Sequence, residues 1–123
     1  MSFIDGFIMA VPAASKHAFL DHAKSLDSFF VEQGAIRVVE CWGEDVPHGK
    51  LTDFHRAVQA KDDEIVVFSW IEWPDRATRD AGMKRMQDAM KSDARFDAEK
   101  NPPPFDGKRM IFGGFAELFR LEK

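Results

Sequence analysis

The segment EIVVFSWIEW, from Glu64 to Trp73, is apolar on both of its faces. Successive side chains of a strand point to opposite sides of the sheet, so a strand with one solvated face alternates apolar and polar residues. Here both sets are apolar or aromatic, with Val66, Phe68 and Trp70 on one side and Ile65, Val67 and Ile71 on the other. We therefore predict a sheet that is covered on both sides.

The rest of the chain alternates between strand-like and helix-like patterns. The predicted elements are strands at 3–11, 35–42, 64–73 and 110–121, and helices from about Ser15 to Gly34 and from Asp75 onward. A long polar excursion at 43–63 separates the second and third strands. Gly113 and Gly114 inside the last strand predict a bulge.

This β-α-β-β-α-β order is typical of the ferredoxin-like α+β fold, a four-stranded antiparallel sheet with two helices on one face. We predict a single domain over residues 1–123. Two helices cover one face of the sheet and leave the other apolar face open. Because a large exposed apolar face is unfavourable on a monomer, we predict a homodimer that forms through the helix-free face.

The charge balance excludes several classes of partner. The chain has 17 Lys and Arg against 21 Asp and Glu, a net charge of -4, and no basic run. Nucleic acid is therefore not a predicted partner, because its phosphates require clustered cations. No apolar run is long enough to cross a membrane. With no signal-peptide pattern near Phe3 to Val11, we predict a cytoplasmic protein, in which the single Cys41 is a buried apolar side chain.

Four runs of the chain resemble a known family. They are FIDGFIMAVP, VVECWGEDVPHGKLTDFHRAV, DEIVVFSWIEWPDRATRD and PPFDGKRMIFGGF, which together cover nearly the whole chain in order. They are similar to the YbaA-like bacterial family of small proteins of unknown function. The resemblance implies a ferredoxin-like subunit of the dimeric α/β-barrel superfamily, and it implies no reaction.

Two acidic residues in predicted strands are candidate catalytic groups. Asp5 and Glu40 lie among apolar neighbours, where an unpaired carboxylate is costly to bury and its pKa is raised. Either one could serve as a general base. The alternative is a structural ion pair with Arg37 or Arg109, which is what buried charges usually require.

Five further residues are candidates for ligand binding. Trp42 and Trp70 could line an apolar cavity for a flat ligand, or serve as core. Lys108 and Arg109, in a turn, could hold an anion. His55 lies in the excursion with Glu44, Asp45, His48 and Asp53, a set that could bind a divalent metal but is more typical of a solvated loop. We predict no metal and no cofactor.

Other polar residues are predicted to have structural or surface positions. His17 and His22 are five residues apart, so they do not share one face of a helix, and we predict both at the surface. The hydroxyl of Ser69 is predicted to be hydrogen-bonded within the core. A nucleophilic role is not predicted, since no His or Asp lies at a recognisable spacing from Ser69 in the sequence.

Two functions of different classes are compatible with these residues. The first is a small-molecule-binding enzyme of oxygenase or isomerase type, with a carboxylate in an aromatic cavity as its base. The second is a non-catalytic homodimeric module that binds a metabolite or a protein through the 43–63 excursion. The two differ in whether Asp5 and Glu40 face a cavity or are matched by arginine.

Overall fold

The computed structural model describes residues 1–123 and contains one four-stranded antiparallel sheet. Its strands are β1 (Phe3–Pro12), β2 (Arg37–Trp42), β3 (Glu64–Trp73) and β4 (Ile111–Ala116). They lie side by side in the order β2-β3-β1-β4, and every neighbouring pair is antiparallel. This is the order of the ferredoxin-like unit, so the predicted α+β fold is confirmed.

Three α-helices connect the strands. They are α1 (Lys16–Glu32), the single turn α2 (Phe54–Ala57) and α3 (Arg76–Ala89). Asp75 is the N-cap of helix α3, and its side chain accepts a hydrogen bond from the backbone N–H of Thr78. Helix α1 ends before Gly34, which adopts a φ of 107° that favours glycine.

The core lies between the sheet and the long helices α1 and α3. Odd-numbered side chains of β1 and β3 point to this side, as the buried Met9, Val11 and Val67 show by packing against Phe19 and Ala23 of α1. A second cluster joins the two helices to the far end of the sheet, and its buried members are Phe3, Phe29, Phe30, Ala35, Ile71 and Trp73. The sequence periodicity predicted this division of faces.

The opposite face of the sheet is only partly covered. At one end the excursion closes it, because the buried Val58 packs there against Ala10 of β1 and Val66 of β3. Over the rest of the face, Phe68, Ile111 and Phe115 are 45%, 43% and 62% exposed. Cys41 pairs with Phe68 across the strands and is exposed, so the prediction that it is buried is wrong.

The last strand is shorter and more regular than predicted. It ends at Ala116 instead of Leu121, and Leu118, Phe119 and Leu121 are exposed. Gly113 and Gly114 pair one to one with Gly6 and Asp5 of β1, so they form no bulge. Gly114 serves close packing instead, because a Cβ atom there would lie 2.8 Å from the ring of Phe3.

None of the helices is long and apolar enough to span a membrane.

Candidate functional site

A cavity of about 140 Å³ lies between the sheet and helix α1. Its wall is mainly apolar and aromatic, with a few polar groups. The lining residues are Phe7, Met9, Phe19, His22, Ala23, Leu26, Asp27, Phe30, Val38, Glu40, Ser69, Trp70, Ile71, Phe105 and Met110. An apolar cavity of this size holds one small ring molecule, since a cavity of about 150 Å³ accepts benzene.

A pair of carboxyl groups provides most of the polarity of this cavity. Glu40 projects from β2 toward the helices, and Asp27 of α1 lies beside it. Burial, followed by the hydrogen bond and charge of Asp27, raises the pKa of Glu40 from 4.5 to about 9, against the effect of the Ser69 hydroxyl. Burial also raises the pKa of Asp27, against hydrogen bonding to Glu40 and the nearby His22. Glu40 therefore holds its proton at neutral pH and shares it with Asp27 through their hydrogen bond.

Two buried atoms of this site have no hydrogen-bond partner. They are Oε2 of Glu40 and Nδ1 of His22. His22 is only 8% exposed and its ring makes an edge contact with Phe105, 5.9 Å between centroids. The prediction that His22 lies at the surface is therefore wrong, while His17 is exposed as predicted. Buried polar atoms without partners are rare and point to a missing ligand or water.

Asp5 lies in a different environment from Glu40. Its carboxylate accepts hydrogen bonds from Arg79 of α3, with Nη2 at 2.8 Å, and from the indole nitrogen of Trp73 at 2.9 Å. Asp5 is thus fully paired and does not line the cavity. The prediction that Asp5 pairs with Arg37 or Arg109 is wrong, because these arginines pair with Glu72 and Glu64.

The two candidate tryptophans have different positions. Trp70 is an even-numbered residue of β3, so it borders the cavity but directs its ring to the open side of the sheet, 6.0 Å from the ring of Phe68. Trp42 is half-buried outside the cavity, with its ring 6.3 Å from that of Phe19 and the Lys16 ammonium 5.5 Å from its centroid. Neither tryptophan ring is therefore placed to touch a molecule in the cavity.

The remaining candidate residues lie away from the cavity. The Arg109 guanidinium binds Glu64 through two hydrogen bonds of 2.7 and 2.8 Å and also binds Asp106, so it has little capacity for an anion. Lys108 is exposed beside it. These two residues do not form the paired cationic site that the turn allowed.

His55 stacks on His48, with 4.2 Å between ring centroids, and its Nε2 lies 2.9 Å from the carbonyl oxygen of Val46. Asp53, close by, accepts the backbone N–H groups of Gly49 and Arg56. No group of three or more His, Cys, Asp or Glu side chains in the molecule is arranged to hold a metal ion. The polar residues of the excursion thus order the loop around α2.

Sequence reasoning missed Asp27 and His22 as site residues. On a helical wheel of about 100° per residue, both lie on the shoulders of the apolar stripe that contains Ala23 and Leu26, about 70° to either side. The helical wheel therefore predicts that both residues lie at the boundary between core and solvent. What the pattern did not contain is that β2 brings Glu40 against this boundary.

The fold is similar to that of a dimeric ferredoxin-like protein from an uncultured marine organism, solved by crystallography. The two structures align with a TM-score of 0.57 and 12% sequence identity, over 99% of this chain and 98% of the other. At 12% sequence identity, this similarity shows a shared fold only.

Sequence relatives cover almost the whole chain. The uncharacterized protein YbaA of Escherichia coli K12 is 49% identical over 118 residues, which are 96% of this chain and 97% of YbaA. The same values hold for the uncharacterized YbaA of Shigella flexneri. Residues 2–107 match a family described as protein of unknown function, DUF1428. The resemblance that the four sequence runs carry is confirmed: the chain belongs to the DUF1428 family.

Proposed function

We propose that this protein binds a small ring-containing molecule in the cavity beneath α1 and transfers protons on it, as an enzyme of isomerase type. The observation that carries the proposal is the Asp27–Glu40 carboxyl pair in the wall of a mainly apolar cavity of about 140 Å³. Such a combination, an apolar pocket with a few convergent polar groups of shifted pKa, is typical of binding and active sites.

The shared proton gives the pair both an acid and a base. In the proposed reaction Glu40, whose pKa is raised to about 9, is the acid at neutral pH, and Asp27 is the carboxylate. The carboxylate accepts a proton from a carbon of the ligand while the acid donates a proton to another atom of it, so the pair ends with the same number of protons. Glu40 is the group we place against the ligand, since its Oε2 has no partner within the protein.

Hydrogen–deuterium exchange on a small ring ketone tests this function. Cyclopentanone in D₂O exchanges its α-hydrogens through the enol, and proton NMR follows the loss of signal. We expect the protein to accelerate exchange beyond buffer at least tenfold, and Glu40→Gln to remove the acceleration. The matched control is Glu44→Gln, two residues beyond β2 and exposed, which retains it. Exchange no faster than in buffer, or equally fast in Glu40→Gln, contradicts the proposal.

We also propose that two copies of the chain associate through the open face of the sheet, as a homodimer. A shallow apolar depression of about 590 Å³ lies on this face, and Ile4, Ile8, Phe68, Ile111 and Phe115 surround it. The exposed rings are those expected in the centre of an interface. The structural relative with the same fold is a dimer, which supports a second copy as the occupant.

Sedimentation equilibrium tests the dimer. We expect a mass of twice the 14.0 kDa of the chain at micromolar concentration. Phe115→Glu places a charge on the open face, beside the apolar depression, and gives the monomer mass, while Leu51→Glu, at a residue 95% exposed in the excursion, leaves the dimer intact. A monomer in the wild type, or a dimer that Phe115→Glu does not weaken, contradicts this interface.

We also propose that the protein is cytoplasmic, as the sequence predicts. The exposed thiol of Cys41, which forms no disulfide, suits a reducing compartment.

A further inference from the structure

We propose that the ligand of the cavity is a compact ring with two hydroxyl groups, one bound by Glu40 and the other by His22. This inference rests on the proposed binding cavity and names the class of molecule that fills it. It is drawn from the two polar atoms that the fold buries and leaves without partners, Oε2 of Glu40 and Nδ1 of His22. Both residues line the same cavity.

The histidine is the stronger of the two observations. His22 is 8% exposed, faces Phe105 and lies near Asp27, and its Nδ1 has no donor or acceptor in the protein. A buried polar atom that loses its hydrogen bond to water carries a desolvation cost unless a new partner replaces it. A ligand that fills the cavity and satisfies only Glu40 leaves this cost in place.

Hydroxyl groups suit both positions because a hydroxyl donates and accepts. Nδ1 of a neutral imidazole is a donor in one tautomer and an acceptor in the other, and the oxygens of the Asp27–Glu40 pair are likewise donors or acceptors according to where the shared proton lies. A hydroxyl can form a hydrogen bond with these atoms in each of these states. The rest of the wall is apolar and aromatic, as a flat hydrocarbon ring requires.

The volume limits the size of the ring. About 140 Å³ is close to the cavity of about 150 Å³ that accepts benzene, so one six-membered ring with two hydroxyls fills it and a fused ring system does not fit. The three benzenediols, which carry hydroxyls at the 1,2, 1,3 or 1,4 positions, are therefore suitable probes. They have the same atoms and differ in the spacing of their two polar groups.

Binding of five probes at pH 7, followed by calorimetry, tests the inference. The probes are benzene, phenol and the three benzenediols. We expect at least one benzenediol to bind about tenfold more tightly than phenol, the value of one additional neutral hydrogen bond. His22→Leu should bring the affinities of phenol and the benzenediols to within about twofold of each other, since the second hydroxyl then has no partner. His22→Asn, which places a polar atom near the position of Nδ1, restores part of the preference.

Three results overturn the inference. If phenol binds and no benzenediol binds better, the second polar contact is absent, while the proposal that the cavity binds a ring-containing ligand is retained. If a benzenediol is preferred and His22→Leu keeps that preference, the second group lies elsewhere. If no probe binds the folded wild type, as verified by circular dichroism, the cavity is not a ligand site and the proposed function fails with it. Deuterium exchange on cyclopentanone is measured separately, so loss of exchange with normal benzenediol binding affects the reaction alone.

Discussion

Glu40 lies on strand β2, and its ionisable neighbour Asp27 is also an acid. Burial would by itself favour its neutral form, and Asp27 adds to this because two adjacent carboxylates cannot both ionise without a large repulsion. The groups that face Glu40 are Asp27 and His22 from α1 and Ser69 from β3. The protonation of this pair should therefore be visible in the stability of the whole protein.

We expect Glu40→Gln to stabilise the protein increasingly as the pH rises from 5 to 9. The folded protein holds the Glu40 proton up to a pKa of about 9, whereas the unfolded chain releases it near 4.5. The stability that Glu40 contributes is therefore complete below pH 4.5 and is lost as the pH rises toward 9. Glutamine stays neutral, so its advantage at pH 9 should reach at least about 1 kcal/mol, the value of one pKa unit. Urea unfolding at several pH values measures it.

Glu44→Gln is the control for this pH dependence, because Glu44 is exposed and lies just beyond the same strand. Its unfolding free energy should differ from that of the wild type by a constant small amount. An equal pH dependence in Glu40→Gln and wild type would show that the pair does not hold a shared proton.

At the residue scale, sequence reasoning identified one half of the site. Glu40 could be predicted because a carboxylate among β-branched and aromatic residues is unusual in any strand. Asp27 could not, since an acidic residue on a helix is ordinarily solvated and its burial depends on which strand packs beside it. The same holds for Asp5, whose burial was predicted and whose partner, Arg79, was not. Partner identity depends on tertiary packing, which the local pattern does not contain.

At the element scale, one buried ion pair joins α3 to the sheet. Arg79 reaches from the helix to Asp5 in β1, and the indole of Trp73 in β3 binds the same carboxylate. The side chain of Asp5 is 5% exposed, so its charge depends on these two donors. Removing one partner of such a pair leaves an uncompensated charge, which is more costly than the pair itself is stabilising.

Arg79→Met should destabilise the protein by about 3 kcal/mol, because Asp5 then keeps only the Trp73 donor. The matched control on the same helix is Arg76→Met. The Arg76 side chain is 71% exposed and pairs with Asp80 at 3.5 Å, so its loss should cost less than about 1 kcal/mol. Chemical denaturation of the two variants measures the difference. Equal costs would mean that the Asp5 pair does not anchor α3.

The glycines of β4 illustrate a second limit of sequence patterns. A glycine inside a strand indicates either a bulge or a close approach, and the pattern alone does not distinguish them. The pairing of Gly114 with Asp5 is regular, and the space above Gly114 is filled by the Phe3 ring and by Arg79. The strands, the helices and the covered faces were predicted by periodicity, whereas this contact and the end of β4 at Ala116 follow from the packed structure.

Gly114→Ala should cost about 1 to 3 kcal/mol, because the new methyl group would lie 2.8 Å from a ring carbon of Phe3. Gly107→Ala is the control, since nothing lies within 4 Å of the corresponding position. It should change the stability by less than about 1 kcal/mol. Thermal unfolding compares the two, and tolerance of Gly114→Ala would show that Phe3 is free to move.

At the scale of the whole molecule, the open face links stability to protein concentration. If two copies fold and associate together, mass action favours the native state as the concentration rises. A tenfold increase should raise Tm by about 2 to 4 °C for a dimer of this size. Phe115→Glu should have a Tm that does not depend on concentration, and Leu51→Glu should behave as the wild type. A constant Tm in the wild type would contradict the dimer.

The strand order has a consequence for how the chain folds during synthesis. The first strand, β1, occupies the interior of the sheet and pairs with β3 on one edge and with β4 on the other. Phe3 finds its β4 partner at Ala116, almost the full length of the chain away. Contacts between such distant residues form late and slow the folding of a domain.

On the ribosome, β1 therefore lacks its second neighbour until β4 has emerged. Between the appearance of Trp73 and that of Ile111, a period of roughly 2 to 8 s at usual translation rates, one edge of β1 is without its neighbour. The unpaired N–H and C=O groups on this edge of β1 are then available to strands of other nascent chains. The pairing of β4 thus completes the sheet, and chains truncated before β4 should aggregate where the 123-residue chain does not.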